Sequence, residues 1–210
     1  LGVEHDVFVP PTKPRVKGRI VTTASADVPL KGLVPLLEAL AKLRTERDVH
    51  LVVVGSLRKG GATEETLDRL DLNDAVEFVS DVAEPELVEI FGSAQVAVVP
   101  SLYEGFSLPA VELMSCATPL VATNAGALPE VVGPDGEAVL RVEPGDPQEL
   151  AVALGRLLDD DELAARIGAA GRARVIENYT WSVVAARTAD WYRQCLAKAA
   201  DGTEEDHADR

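Results

Sequence analysis

Six short apolar runs constrain this chain more than any other feature. They are "RIVTTA" (19–24), "HLVVVG" (50–55), "AVEFVS" (75–80), "QVAVVPS" (95–101), "PLVATN" (119–124) and "EAVLRV" (137–142). Each is too short for a buried helix and rich in β-branched residues, so each predicts a strand. Between them lie amphipathic stretches. "KGLVPLLEALAKLRTE" (31–46) sets Leu33, Leu36, Leu37, Leu40 and Leu43 at helical spacing. Helices are likewise expected over 63–72, over 84–94 with Pro85 in the first turn, and over 107–117, and a helical turn is expected in "ALPEVVG". Strands that are apolar along their whole length need cover on both faces, as in a parallel sheet with helical crossovers.

The expected fold is therefore α/β: one doubly wound, parallel, Rossmann-like sheet with helices on both faces. Past residue 145 three helical stretches follow in succession, and these are expected to pack on the sheet edge and close the domain. The Pro-rich head, 1–18, reads as an interdomain linker, 19–200 as the domain, and the charged tail, 201–210, as disordered. The 210 residues suffice for one domain with a sizeable core, and the chain begins with Leu1, which reads as a piece of something longer.

A formal net charge of -15 disfavours a nucleic-acid partner, because phosphate backbones are repelled by such a surface. A small anion in a locally basic site is not excluded. Cys116 and Cys195 form no CxxC pair, and the histidines, His5, His50 and His207, have no metal-ligand spacing. No apolar run is long enough to span a bilayer and no signal-peptide pattern opens the chain. A reduced cytoplasmic location is expected.

The stretch "SLYEGFSLPAVEL" (101–113) carries the chemistry. Pro100 stops a strand, Ser107 is a candidate N-cap, and Pro109 suits a first helical turn. The helix N-terminus thus sits at the carboxyl end of a central strand, where free N–H groups favour an anion such as a diphosphate. Gly105 permits close approach to the backbone. Glu104 and Glu112 flank this terminus. Carboxylates repel a diphosphate, so sugar and ribose hydroxyls are their natural partners. The plainer alternative makes Glu104 a solvated loop acid and Glu112 a helix-surface acid, although Glu112 lies among Leu108, Val111, Leu113 and Met114. Lys31, in "ADVPLKG" after the first strand, could reach the same diphosphate, or could be an ordinary exposed lysine.

On these residues the chain resembles the retaining, family-four glycosyltransferases of the two-Rossmann-domain (GT-B) type. "LYEGFSLPAVELMSCATPLVATNAGALPEVVG" is similar to their C-terminal-domain signature, with the Glu-x7-Glu motif at Glu104 and Glu112. The resemblance runs from "GVEHDVFVP" to "YTWSVVAARTADWY". It implies one half of a GT-B architecture, a donor half that binds a nucleotide-diphosphate sugar and transfers the sugar together with an N-terminal acceptor domain. Glu104 would contact the donor sugar at the reacting centre and Glu112 the ribose. The backbone of Gly105, Phe106, Ser107 and Leu108 would meet diphosphate and sugar, Lys31 would neutralise the leaving diphosphate, and Ser80 and Val82 would flank the base. No metal or other cofactor is implied, and peripheral membrane contact would come only through the missing domain. Where the family has Gly-Arg after the first strand this chain has Ala24 and Ser25, so Ser25 falls against the donor and Arg19, Arg58 or Lys59 must supply any second cation. Ala117 and Ala127 replace usual glycines.

Rival readings are weaker. "GFSLP" departs from the G-x-S-x-G nucleophile elbow at Pro109, and "GSLRKGG" departs from a P-loop at Gly61. The alternative different in kind is a catalytically silent module that binds a nucleotide, sugar or protein.

Overall fold

The computed structural model describes residues 1–24 and 28–205. Its strands are β1 (Val16–Thr23), β2 (His50–Val54), β3 (Val76–Val79), β4 (Ala94–Val99), β5 (Leu120–Thr123) and β6 (Leu140–Val142). Its helices are α1 (Leu33–Leu43), α2 (Ala62–Leu70), α3 (Glu84–Ser93), α4 (Leu108–Ser115), α5 (Leu128–Val132), α6 (Pro147–Asp159), α7 (Asp161–Asn178) and α8 (Trp181–Glu205). All pairings are parallel, in the order β3-β2-β1-β4-β5-β6. The chain steps outward from β1 to β3, then returns through α3 to lay β4 on the other side of β1. The crevice between the carboxyl ends of β1 and β4 is thus the topological switch point, where open α/β sheets bind ligands.

Strand side chains alternate between two cores. Ile20, Leu51, Val53, Val96, Val98 and Val121 face α1 and α6, while Val21, Val52, Ala97, Val99, Leu120 and Ala122 face α3, α4 and α5. Helix α1 buries Leu33, Leu36, Leu37, Leu40 and Leu43. Full burial of one such side chain is worth about 1.5–3 kcal/mol, so this stripe anchors the helix despite its short length.

The first closing helix, α6, lies on the sheet face and not at its edge. Leu150, Leu154 and Leu157 form an apolar stripe that covers the face beside α1, so α6 lies on α1 and over β4, β5 and β6. Helix α7 passes from one core to the other, placing Ala164 and Ile167 in the first and Val175 in the second. It passes close to the α4–β5 connection: a Cβ on Gly168 would stand 2.2 Å from the Ala117 carbonyl oxygen. Asp146 and Asp160 cap α6 and α7 by accepting from Gln148, Glu149 and Leu163 N–H groups.

Several boundaries differ from expectation. Residues Pro29–Lys31 form a 3-10 turn, and Gly32 at φ 67° breaks the backbone before α1. Strand β6 is shorter, because 136–139 closes a turn with Gly136 at φ 77° donating to Val139. Strand β1 begins at Val16, inside the stretch read as linker, and the head is bound to the domain. Phe8 is buried, and its carbonyl accepts from Ser115 Oγ and Arg172. Helix α8 continues to Glu205, past the expected start of the tail.

Candidate active site at the β1–β4 crevice

Two loops meet at the switch point, and backbone contacts fix their spacing. The Leu102 N–H donates to the Leu30 carbonyl at 2.7 Å. Gly32 lies so close to the other loop that a Cβ would be 1.8 Å from the Pro100 oxygen. From the neighbouring strand, Thr123 Oγ1 donates to the Ser101 carbonyl at 2.5 Å. The Glu104 carbonyl accepts from the Ala127 N–H at 2.8 Å, and Gly126, at φ 56°, packs against it with no room for a side chain.

This frame brings Lys31 and Glu104 together. Lys31 Nζ donates to Glu104 Oε1 at 2.8 Å, and Ser101 Oγ donates to the same oxygen at 2.8 Å. No described residue donates a hydrogen bond to Oε2. The Glu104 side chain is 12% exposed and that of Lys31 32% exposed, so the pair sits at the mouth of the crevice.

Helix α4 starts as expected. Ser107 is its N-cap, accepting from the Ala110 N–H at 3.4 Å, and Pro109 lies in the first turn. Ser107 adopts φ 81°, a strained value for a residue with a side chain. Its buried hydroxyl faces the helix, which removes it as a nucleophile. The backbone N–H groups of Gly105, Phe106, Ser107 and Leu108 donate to no described residue. A Cβ on Gly105 would meet nothing within 4 Å. Open space therefore adjoins a run of unpaired donors at a helix N-terminus, an arrangement that suits an anion. Phe106 packs edge-on against Tyr179, ring centres 5.7 Å apart, while Leu108 is exposed.

Glu112 is half-buried on α4, and no hydrogen bond or ion pair reaches its carboxylate among the described residues. Burial raises its pKa, and the charge of Glu84, the first residue of α3, raises it further. At the ends of β2 and β3, Ser80 and Val82 line a pocket of ≈ 320 Å³ together with Val54, Gly55, Ser56, Asp81 and Leu87. Four other recesses exceed it, and the two largest of them, of ≈ 800 and ≈ 890 Å³, lie by the Arg47–Asp159 pair and by Arg15, toward the amino ends of the strands and away from the motif residues.

Among the candidate second cations, Arg19 is excluded. It bonds His50 Nε2 and Ser93 Oγ at the amino ends of β1, β2 and β4. Arg58 and Lys59 are exposed on the β2–α2 loop, and Ser25 lies outside the described residues. The described residues contain no group of three or more His, Cys, Asp or Glu able to hold a metal ion, and no helix long and apolar enough to cross a membrane. Ser101, Thr123 and Gly126 were not singled out from the sequence. The signal for Thr123 and Gly126 was the small-residue segment "ATNAG" (122–126), and Ser101 opens the stretch 101–113.

Comparison with known proteins gives the family. Residues 7–174 match the family described as "Glycosyl transferases group 1". An MMP α-(1→4)-mannosyltransferase of Mycolicibacterium hassiacum is 50% identical over 200 residues, which are 95% of this chain and 48% of that protein. A D-inositol 3-phosphate glycosyltransferase of Streptomyces griseus is 36% identical, over 94% of this chain and 41% of its own length. The chain thus spans about half the length of the curated relatives it matches. Among solved structures, the C-terminal domain of a glycosyl transferase group 1 family protein from Francisella tularensis superposes with a TM-score of 0.75 at 26% identity, covering 86% of this chain and 100% of that one. Sucrose-phosphate synthase from Thermosynechococcus elongatus gives 0.80 at 30% identity, over 94% of this chain and 52% of that one. The fold of Anabaena Alr3699/HepE, solved with UDP and glucose, gives 0.78 at 21% identity, over 91% of this chain and 55% of that one. The chain belongs to the glycosyl transferases group 1 family.

Proposed function

We propose that this chain is the donor half of a retaining hexosyltransferase, binding a nucleotide-diphosphate sugar in the β1–β4 crevice and transferring the sugar only with a second, acceptor-binding domain. The observation that carries the reading is the Lys31–Glu104 contact, set beside the unpaired N–H groups of 105–108. In this reading the diphosphate binds the α4 N-terminus and Lys31. The sugar hydroxyls meet the free Oε2 of Glu104, and the ribose meets the unpartnered Glu112. The base enters the pocket beside Ser80 and Val82. Lys31 and backbone donors stabilise the charge that develops on the leaving diphosphate, a role that needs no metal. Support comes from a mannosyltransferase relative and from a fold neighbour solved with UDP and glucose. We place the reaction in the cytoplasm.

Calorimetric titration of the chain with UDP, GDP and ADP tests the donor site. One nucleotide should bind, and Glu112→Ala should abolish that binding. Equal affinity in wild type and variant removes Glu112 from the ribose. Retention is tested on the longer protein, by NMR of the anomeric configuration of the product. A second reading, a silent nucleotide- or sugar-binding module, is favoured by one observation: among the described residues Lys31 is the one cation that bonds a residue of the 104–112 motif.

A further inference from the structure

Glu104 Oε1 accepts from two donors of different character. Lys31 approaches from the other loop on a flexible stem and is 32% exposed. Ser101 approaches from within the same turn, three residues before Glu104, and is 2% exposed. Its main chain is fastened by Thr123 Oγ1, itself fully buried, and the next residue is tied to Leu30. One partner is therefore reachable by a ligand, and the other is buried and fastened.

The donor site as read above asks these two groups to separate. A diphosphate at the α4 N-terminus draws Lys31 toward its own charge. Glu104 then loses its cation just as a second anion arrives nearby, and repulsion favours a rotamer turned away from the sugar. We propose that Ser101 is a positioning residue: its hydroxyl holds Glu104 Oε1 while Lys31 changes partner, so that Oε2 stays aimed at the sugar hydroxyls. Ser101 touches no substrate and acts through Glu104. The proposal rests on the donor-site reading and adds to it the group that keeps the sugar-facing carboxylate in register.

The same hydrogen bond gives discrimination between donor and product. A nucleotide diphosphate without a sugar occupies Lys31 and leaves Glu104 near an anion with no hydroxyl to bind. A nucleotide sugar supplies the missing donors, provided Glu104 is still held in place. Loss of Ser101 should therefore weaken sugar-bearing ligands relative to bare diphosphates.

Two measurements on the chain test this. The first needs no ligand: chemical unfolding of Ser101→Ala, Glu104→Ala and the double variant. If Ser101 holds Glu104, the double variant loses less than the sum of the singles. The second titrates wild type, Ser101→Ala and Ser101→Thr with UDP and UDP-glucose, GDP and GDP-mannose, and ADP and ADP-glucose. For the base that binds, the preference for the sugar-bearing ligand should fall by about tenfold in Ser101→Ala, the worth of a hydrogen bond to a charged group. Ser101→Thr, which keeps the hydroxyl, should restore it. Additive unfolding energies, or an unchanged preference in Ser101→Ala, overturn the proposal and leave the donor site standing. A wild-type chain with no preference for the sugar, but with non-additive unfolding, overturns the sugar role of Glu104 itself and the proposal with it.

Discussion

Lys31 and Glu104 satisfy each other's charge across the β1–β4 crevice, Nζ to Oε1 at 2.8 Å. An anion that takes Lys31 must first compete with Glu104. Glu104→Gln should therefore bind a bare nucleotide diphosphate about two- to fivefold more tightly than wild type, the scale of a partly exposed ion pair. Lys31→Ala should bind it more weakly. Calorimetry on both variants checks the pair. A weaker diphosphate complex in Glu104→Gln would show that Lys31 does not serve the phosphates.

The two glycines around the motif should differ in their effect on stability. An alanine at Gly126 would hold a left-handed backbone at φ 56° and press a methyl to 2.2 Å from the Glu104 carbonyl oxygen. Such strain costs about 1–3 kcal/mol or forces the 101–107 loop to shift, so Gly126→Ala should lower Tm and donor affinity together. Gly105→Ala meets open space and should leave Tm within a degree or so. Its methyl would occupy the region given to the ligand, so donor affinity alone should fall.

Glu112 supplies a pH signature. Burial first, and Glu84 second, hold its folded-state pKa above the ordinary 4.5. The folded chain thus binds this proton more tightly than the unfolded chain. Stability from the group is complete below about pH 4.5 and is lost as pH rises through the raised folded value. Glu112→Gln should match wild type in Tm at pH 4 and exceed it at pH 7. Glu84→Gln should give a smaller shift of the same sign. Thermal unfolding across that range checks both.

Arg15 should matter to folding and not to the ligand. Its guanidinium makes five hydrogen bonds, to the carbonyls of Gly92, Ala94, Cys116 and Ala117 and to Thr118 Oγ1. Arg15→Ala leaves partly buried carbonyls unpaired, at a cost of about 3 kcal/mol. Arg15→Lys should recover little, because one ammonium cannot reproduce the planar fork. Denaturant midpoints should fall in both, with nucleotide affinity kept wherever the chain remains folded.

Arg15 also shows where sequence reasoning stops. The strands were legible because an apolar run closed by a small residue has one common use in an α/β chain. Ser107 and Pro109 were legible because capping is local. The contacts of Arg15 lie 77 or more residues away in sequence, so a Pro-rich head was read as linker although its arginine is built into the domain. The place of α6 was missed for a similar reason. Its leucine stripe shows that a face must be covered, but not which face. At the site, the places of Glu104 in the turn after β4 and of Glu112 on α4 follow from local pattern, whereas the hold of Ser101 on Glu104 needs two turns and a neighbouring strand to become visible.

The two ends of the sheet carry different kinds of constraint. At the amino ends, Arg15 and the tight Gly168 approach tie α7, the head and the strand starts to one another, and the buried Cys116 thiol, its pKa pushed up to about 12, stays protonated and unreactive. At the carboxyl ends, the pocket at 54–56 and 79–82 is made of strand-end and loop residues, with Leu87 of α3, that these ties do not use. Divergence can therefore act on one end while the other is inherited unchanged. On the proposed reading of that pocket as the base site, descendants of such a chain can change the nucleotide they accept by substitutions there, without first having to regain the stability that a change at the clamped end would cost.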